Sequence, residues 1–209
     1  DLRLMVVQGA NVTPTLLMPC DALLLAAGEG AFTCCAKNHD FGGGPGTASC
    51  DKHKVRQVLD TMIDAKVAHL FGLGRRVEAR YFAACKQHFL RGLPEPSSSG
   101  EAAAGGGAEG VAALKVRLHW RDDEAEKEET GRTGFGLAFW AATADDAAAV
   151  REALAPLTAE ERRAAVNRGA VRDKPEFTLP KGLNSLMFAM FVARWEVVEV
   201  LLDVGGANP

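Results

Sequence analysis

Residues 182–209 read GLNSLMFAMFVARWEVVEVLLDVGGANP, from Gly182 to Pro209. A glycine opens the stretch and a short apolar run follows. After a break, Val197, Val198, Val200, Leu201 and Leu202 share one face of a second helix. The unit closes on Gly205-Gly206-Ala207-Asn208-Pro209. Two helices this short cannot cover their own apolar faces, so the pattern demands neighbours of the same kind.

The stretch resembles an ankyrin repeat, which opens on Gly-x-Thr-Pro-Leu-His-x-Ala. Gly182, Leu186 and Ala189 match the glycine, leucine and buried alanine; Val198, Leu201 and Leu202 match the second-helix core; Ala207-Asn208 match the exit. Asn184-Ser185 stand for Thr-Pro, Met187 stands for His, and one extra glycine precedes Ala207. Asn184 or Ser185 can still cap the first helix. The resemblance implies an all-α fold, an irregular ankyrin-like helical solenoid, and a role in binding other macromolecules.

Two weaker copies extend the resemblance. Leu2, Met5 and Val6 take the places of Val198, Leu201 and Leu202, and Gly9-Ala10-Asn11 that of Gly206-Ala207-Asn208. This predicts a second helix and exit over residues 1–12, with Ala22–Ala27 as the next first helix. Thr133-Gly134-Phe135-Gly136-Leu137-Ala138 is a degenerate opening, and Asp145-Asp146 cap a helix holding Val150 and Leu154. Its helix-to-helix spacing reads about three residues longer than in the last copy.

The pieces between are different. The predicted organisation is a repeat portion over 1–30, a Cys/Gly-rich loop over 31–51, a basic helical hairpin over 52–94, a linker over 95–132 and further repeats over 133–209. In the hairpin, Val55, Val58, Leu59, Met62, Ile63, Val67 and Leu70 recur at helical spacing, Gly72-Leu73-Gly74 breaks the run, and Val77, Tyr81, Ala84, Cys85, His88 and Phe89 form a second stripe. From Lys52 to Arg91 nine basic residues face three acids, with Arg75-Arg76 at the turn. An anionic ligand at this hairpin is one reading, and a solvated face is the plainer one. The linker EPSSSGEAAAGGGAEG (95–110) is low-complexity. Leu114, Val116, Leu118 and Trp120 alternate as in a strand. Asp122–Glu129 holds six acids and one lysine, which predicts a solvated loop or an electrostatic latch onto the basic hairpin. Thr158 and Glu161 have capping-box spacing.

Composition narrows the function classes. The chain has 209 residues, 47% hydrophobic and 24% charged, with net charge −3. It can bury a core, and the charge balance favours neither nucleic acid nor a membrane surface. No run is long enough to span a bilayer. Five cysteines predict an intracellular, reducing compartment rather than a disulfide scaffold. Asp1 and Pro209 both fall within repeat copies, so the expectation is a segment cut from a longer chain.

Cys34, Cys35, His39, Cys50 and His53 are candidate zinc ligands, because thiolates and imidazoles suit tetrahedral zinc and Cys50-x-x-His53 has ligand spacing. Ordinary buried cysteines and exposed histidines are the bland alternative. Nucleophile elbows, zinc-protease pairs and phosphate loops are missing. The expectation is a non-catalytic scaffold subunit that binds protein partners in a larger assembly, with Phe191, Arg194, Trp195, Arg75, Arg76 and Arg80 as contacts. The alternative is a zinc-binding or enzymatic module centred on 34–53, with the repeats as its adaptor.

Overall fold

The computed structural model describes residues 4–6, 15–17, 27–29, 32–36, 50–94, 110–170 and 182–207. Among the described residues the chain is all-α apart from one short antiparallel pair, β1 (Leu4–Val6) and β2 (Thr15–Leu17), in which Met5 is paired with Leu16. A single 3-10 turn (Ala27–Glu29) and α1 (Thr33–Ala36) precede two long helices, α2 (Asp51–Gly72) and α3 (Arg76–Leu90). Then come α4 (Gly110–Arg117), α5 (Asp123–Thr133), α6 (Leu137–Thr143), α7 (Ala147–Leu154), α8 (Ala159–Asn167), α9 (Ser185–Phe191) and α10 (Trp195–Asp203).

Helices α3, α6 and α9 pack side by side in one row. Helices α4, α7 and α10 form a second row against it, and α2 packs on the outside of α3. The main core lies between the rows, built from Leu114, Phe139, Trp140, Val150, Phe188, Val197 and Leu201 among others. Ile63, Val67 and Leu70 of α2 meet Ala79, Ala83 and Leu90 of α3 in a second cluster. Each helix is too short or too one-sided to persist alone, so stability comes from burying these faces mutually.

One turn chemistry recurs four times. After α2, α4, α6 and α9 the chain closes with the same pair of bonds. Gly74 N–H reaches Phe71 O while Arg75 N–H reaches Leu70 O; His119 and Trp120, Asp145 and Asp146, and Ala193 and Arg194 repeat this on Val116 and Lys115, Ala142 and Ala141, and Met190 and Ala189. The residue at the bend is left-handed each time, with φ of 72°, 55°, 62° and 56°. This satisfies the carbonyls that a helix end leaves open. Only the first site is a glycine. Ala193, exposed and left-handed, carries a steric cost that glycine lacks. Ala193→Gly is expected to raise stability by about 0.5–1 kcal/mol, read as a higher urea midpoint at unchanged slope.

The α6–α7 and α9–α10 hairpins correspond residue for residue. Gly134 and Gly182 both have φ 83°. Gly136 and Asn184 both stand at the N-cap, and Asp145 and Ala193 both make the bend. Val150 and Val198 then donate to Asp146 and Arg194. No residue is inserted between these points, so the longer spacing expected of the middle copy is corrected. Two helix starts are nevertheless capped by residues the sequence nominates: in the last copy Asn184 accepts from Met187 N–H at 2.9 Å, and in the middle copy Asp146 accepts from Ala149 N–H at 2.8 Å. Thr158 and Glu161 form the expected capping box.

Other expectations fail for definite reasons. Residues 4–6 are strand, not the second helix of a repeat; Gly9-Ala10-Asn11 and residues 21–26 lie outside the described residues. The strand expected at 114–120 is the last turn of α4 and its bend. Leu114 and Leu118 are buried while Val116 is 77% exposed, so the alternation is accidental and the helical spacing of Val111, Leu114 and Leu118 governs. The acidic loop at 122–129 is mostly helix α5. Asp122 caps it by accepting from Ala125 N–H at 2.8 Å, and the acids of its first turn complement the helix dipole. In α2, Val58 and Met62 leave the expected stripe and face solvent, as Leu202 does in α10. Among the described residues, no helix is long and apolar enough to cross a membrane.

Candidate metal centre and interaction face

A strap of described residues, 27–29 and 32–36, crosses the open end of the α2–α3 hairpin, and several contacts fix it there. Lys52 Nζ donates to Gly28 O at 2.8 Å and to Gly92 O at 3.2 Å, and lies over the Phe32 ring at 5.2 Å. Arg91 pairs with Glu29 at 2.6 Å, and Arg56 donates to Leu93 O at 3.1 Å. Gly28 and Gly92 touch through their backbones: a Cβ on Gly28 would fall 2.1 Å from the Gly92 carbonyl carbon. Any larger residue at Gly28 forces the strap off the hairpin.

This anchoring brings α1 to the first turn of α2. Cys34 and Cys35 belong to α1, and Cys50 is the N-cap residue of α2. Their sulfurs form a triangle with edges of 3.9 Å (Cys34–Cys35), 3.9 Å (Cys34–Cys50) and 3.7 Å (Cys35–Cys50). Cys34 is buried, Cys50 half-buried and Cys35 exposed. The Asp51 N–H donates to Cys34 Sγ at 3.4 Å. The Lys52 backbone amide leads the causes that pull the Cys50 thiol below its ordinary value, whereas the hydrogen bond to Cys50 leads those that push Cys35 up to about 11.

Of the five ligands expected from the sequence, the structure thus assembles three. His53 is exposed and stands apart from the thiol triangle; His39 lies outside the described residues. The fourth described cysteine is of another kind. Cys85 is buried on α3 with its sulfur 3.9 Å from Thr143 O, and burial pushes its thiol up to about 12. It is a core residue, as expected.

The expected contact residues divide. Phe191 and Trp195 are 61% and 63% exposed, and Met187 and Met190 stand on the same face of α9 as Phe191. Arg194 is not a surface contact: it is 6% exposed and its Nη1 pairs with Asp145 Oδ2 at 2.7 Å, tying the two hairpin bends together. Arg80 is not available either. It is 4% exposed, pairs with Glu129, donates Nε to Leu118 O at 2.8 Å and lies against Trp120 and Phe71. Arg75 is half-exposed and holds Glu78 at 2.5 Å. Arg76 is exposed and, with Arg121 and Arg132, lines a cleft of about 320 Å³ that also contains Glu128, Glu129 and His119.

Sequence reading therefore overstates the basic hairpin. Lys86 bonds Asp60 and Asp64 at 2.9 and 2.7 Å, and Lys54 faces Asp51. It also misses Glu129 as the partner of Arg80, since nothing in a run of six acids marks the one that turns inward. Comparison of the chain with family models, curated proteins and solved structures gives no match.

Proposed function

We propose that the chain is a non-catalytic docking module that binds a protein partner through one corner of its helical stack. The arrangement in two rows, with corresponding hairpins at 134–154 and 182–203, supports the reading of an irregular ankyrin-like solenoid with a helical hairpin added at one end. The observation that carries the proposal is the exposure of Met187, Met190, Phe191 and Trp195 at the junction of α9 and α10. These side chains contribute nothing to the core that the same two helices build, and large aromatics are the residues that anchor interfaces. Among the described residues the thiol triangle is the group that could hold a metal, and its chemistry is ligation.

A photo-crosslinking residue placed at position 191 or 195 in the full chain tests this. The expected result is one discrete adduct with the same partner from both positions. Phe191→Ser with Trp195→Ser should then weaken that partner's binding by about thirtyfold while the helical circular dichroism is unchanged. Adducts scattered over many proteins, or an affinity indifferent to the double substitution, overturn the reading.

A further inference from the structure

The triangle formed by Cys34, Cys35 and Cys50 goes beyond the docking reading and stands on separate observations. Three reactive side chains converge from two helices, and only one of them is buried. Apolar packing does not account for the convergence, because Cys35 is exposed and Cys50 half-exposed. Nor are the sulfurs joined as disulfides, at separations of 3.7–3.9 Å. Those separations match another geometry. Thiolates at about 2.3 Å from a tetrahedral zinc ion stand about 3.8 Å apart along each edge. The three observed edges bracket that value.

We infer that Cys34, Cys35 and Cys50 form one face of a tetrahedral zinc site that fastens α1 to the N-terminal end of α2.

The surroundings fit a bound cation ringed by thiolates. The Asp51 N–H directs a hydrogen bond at the Cys34 sulfur, which is how a backbone donor offsets the excess negative charge of thiolate ligands. The first turn of α2 adds the positive end of a 22-residue helix beneath Cys50. The strap is already held by Lys52, Arg91 and the Gly28–Gly92 contact, so two ligands sit on a prebuilt support. Thiolates select soft or borderline ions, and zinc adds no redox chemistry. Each thiol gives up its proton on binding, so up to three protons are released per ion. The role is structural. The ion closes the sequence between Cys35 and Cys50, whose composition offers few apolar residues for holding a fold.

The experiment uses the full chain, purified without added metal and then titrated with zinc or cobalt(II) under reducing conditions. One equivalent of zinc is expected, with an absorption spectrum showing at least three sulfur neighbours near about 2.3 Å. Cobalt should give the thiolate-to-metal charge-transfer band of a tetrahedral site. Cys50→Ser and Cys35→Ser should each weaken zinc at least tenfold, whereas His53→Ala should leave it unchanged. Cys35 is exposed, so its substitution tests ligation without disturbing the core. A chain that takes up no zinc when titrated, a shell with fewer than three sulfurs, a preference for iron(II) over zinc, or a disulfide among the three cysteines in the purified protein overturns the inference. Loss of zinc in His53→Ala also overturns the ligand assignment. The docking experiment is indifferent to all of these outcomes, because its residues lie on α9 and α10.

Discussion

Glu129→Ala is expected to destabilise the protein by about 3–5 kcal/mol, because it strands a buried guanidinium. Arg80 and Glu129 are 4% and 5% exposed and pair directly. Arg80 also donates to the Leu118 carbonyl and lies against the Trp120 and Phe71 rings. One side chain thus joins α3, the bend after α4, and α5. With its partner removed, the charge keeps its desolvation cost and loses its main compensation. A typical domain has only about 5–15 kcal/mol in all, so the urea midpoint should fall by about a fifth or more. The double variant Arg80→Met with Glu129→Leu separates charge from packing. It should recover most of the loss, because removing both ions also removes their desolvation, although the Leu118 carbonyl then lacks its donor. A Glu129→Ala change within about 0.5 kcal/mol of the parent would mean that water reaches the pair.

The second large effect is expected at Trp140. It is fully buried on α6, the middle helix of its row, with Phe139 and Phe135 edge-on at 5.3 and 5.7 Å. Trp140→Ala should cost about 3–5 kcal/mol through lost burial and the cavity it leaves. Trp140→Phe should cost far less than that. The indole Nε1 has no hydrogen-bond partner among the described residues, so phenylalanine loses area but also removes an unpaired buried donor. Chemical denaturation of the two variants checks the order. Equal losses would show that the indole nitrogen, not the ring volume, sets the cost.

The parts of this protein legible from sequence are those in which local chemistry and burial agree. Gly72-Leu73-Gly74 marks the bend between two long amphipathic helices, and the helices lie where their stripes place them. The cap at Thr158 is read directly, and those at Asp146 and Asn184 fall within the pairs Asp145-Asp146 and Asn184-Ser185 that the sequence nominates, because each needs only a side-chain oxygen next to a helix start. Where period-2 and period-3.6 patterns share residues, as at Leu114 and Leu118, sequence alone chose the wrong one. The choice depends on which side the neighbours α3 and α7 occupy. The strand at Leu4–Val6 was lost in the same way, since a three-residue apolar run has no period of its own.

The candidate site divides along the same line. Residue type alone nominated the cysteines, because thiols in number near histidines are a metal donor set. It did not choose between His53, which stands outside, and Cys34, Cys35 and Cys50, which converge. That choice needs the strap pinned across the hairpin by Lys52 and by Gly28 against Gly92, contacts between residues distant in sequence. Likewise, composition announced a basic hairpin and an acidic run, but only packing put Arg80 on Glu129 and left Phe191 and Trp195 in solvent. Periodicity and capping are properties of a few adjacent residues, so the chain order carries them. Which charge is buried, which thiols meet and which aromatics stay uncovered depend on how whole helices stack, and that is settled only when their faces compete for the same interior.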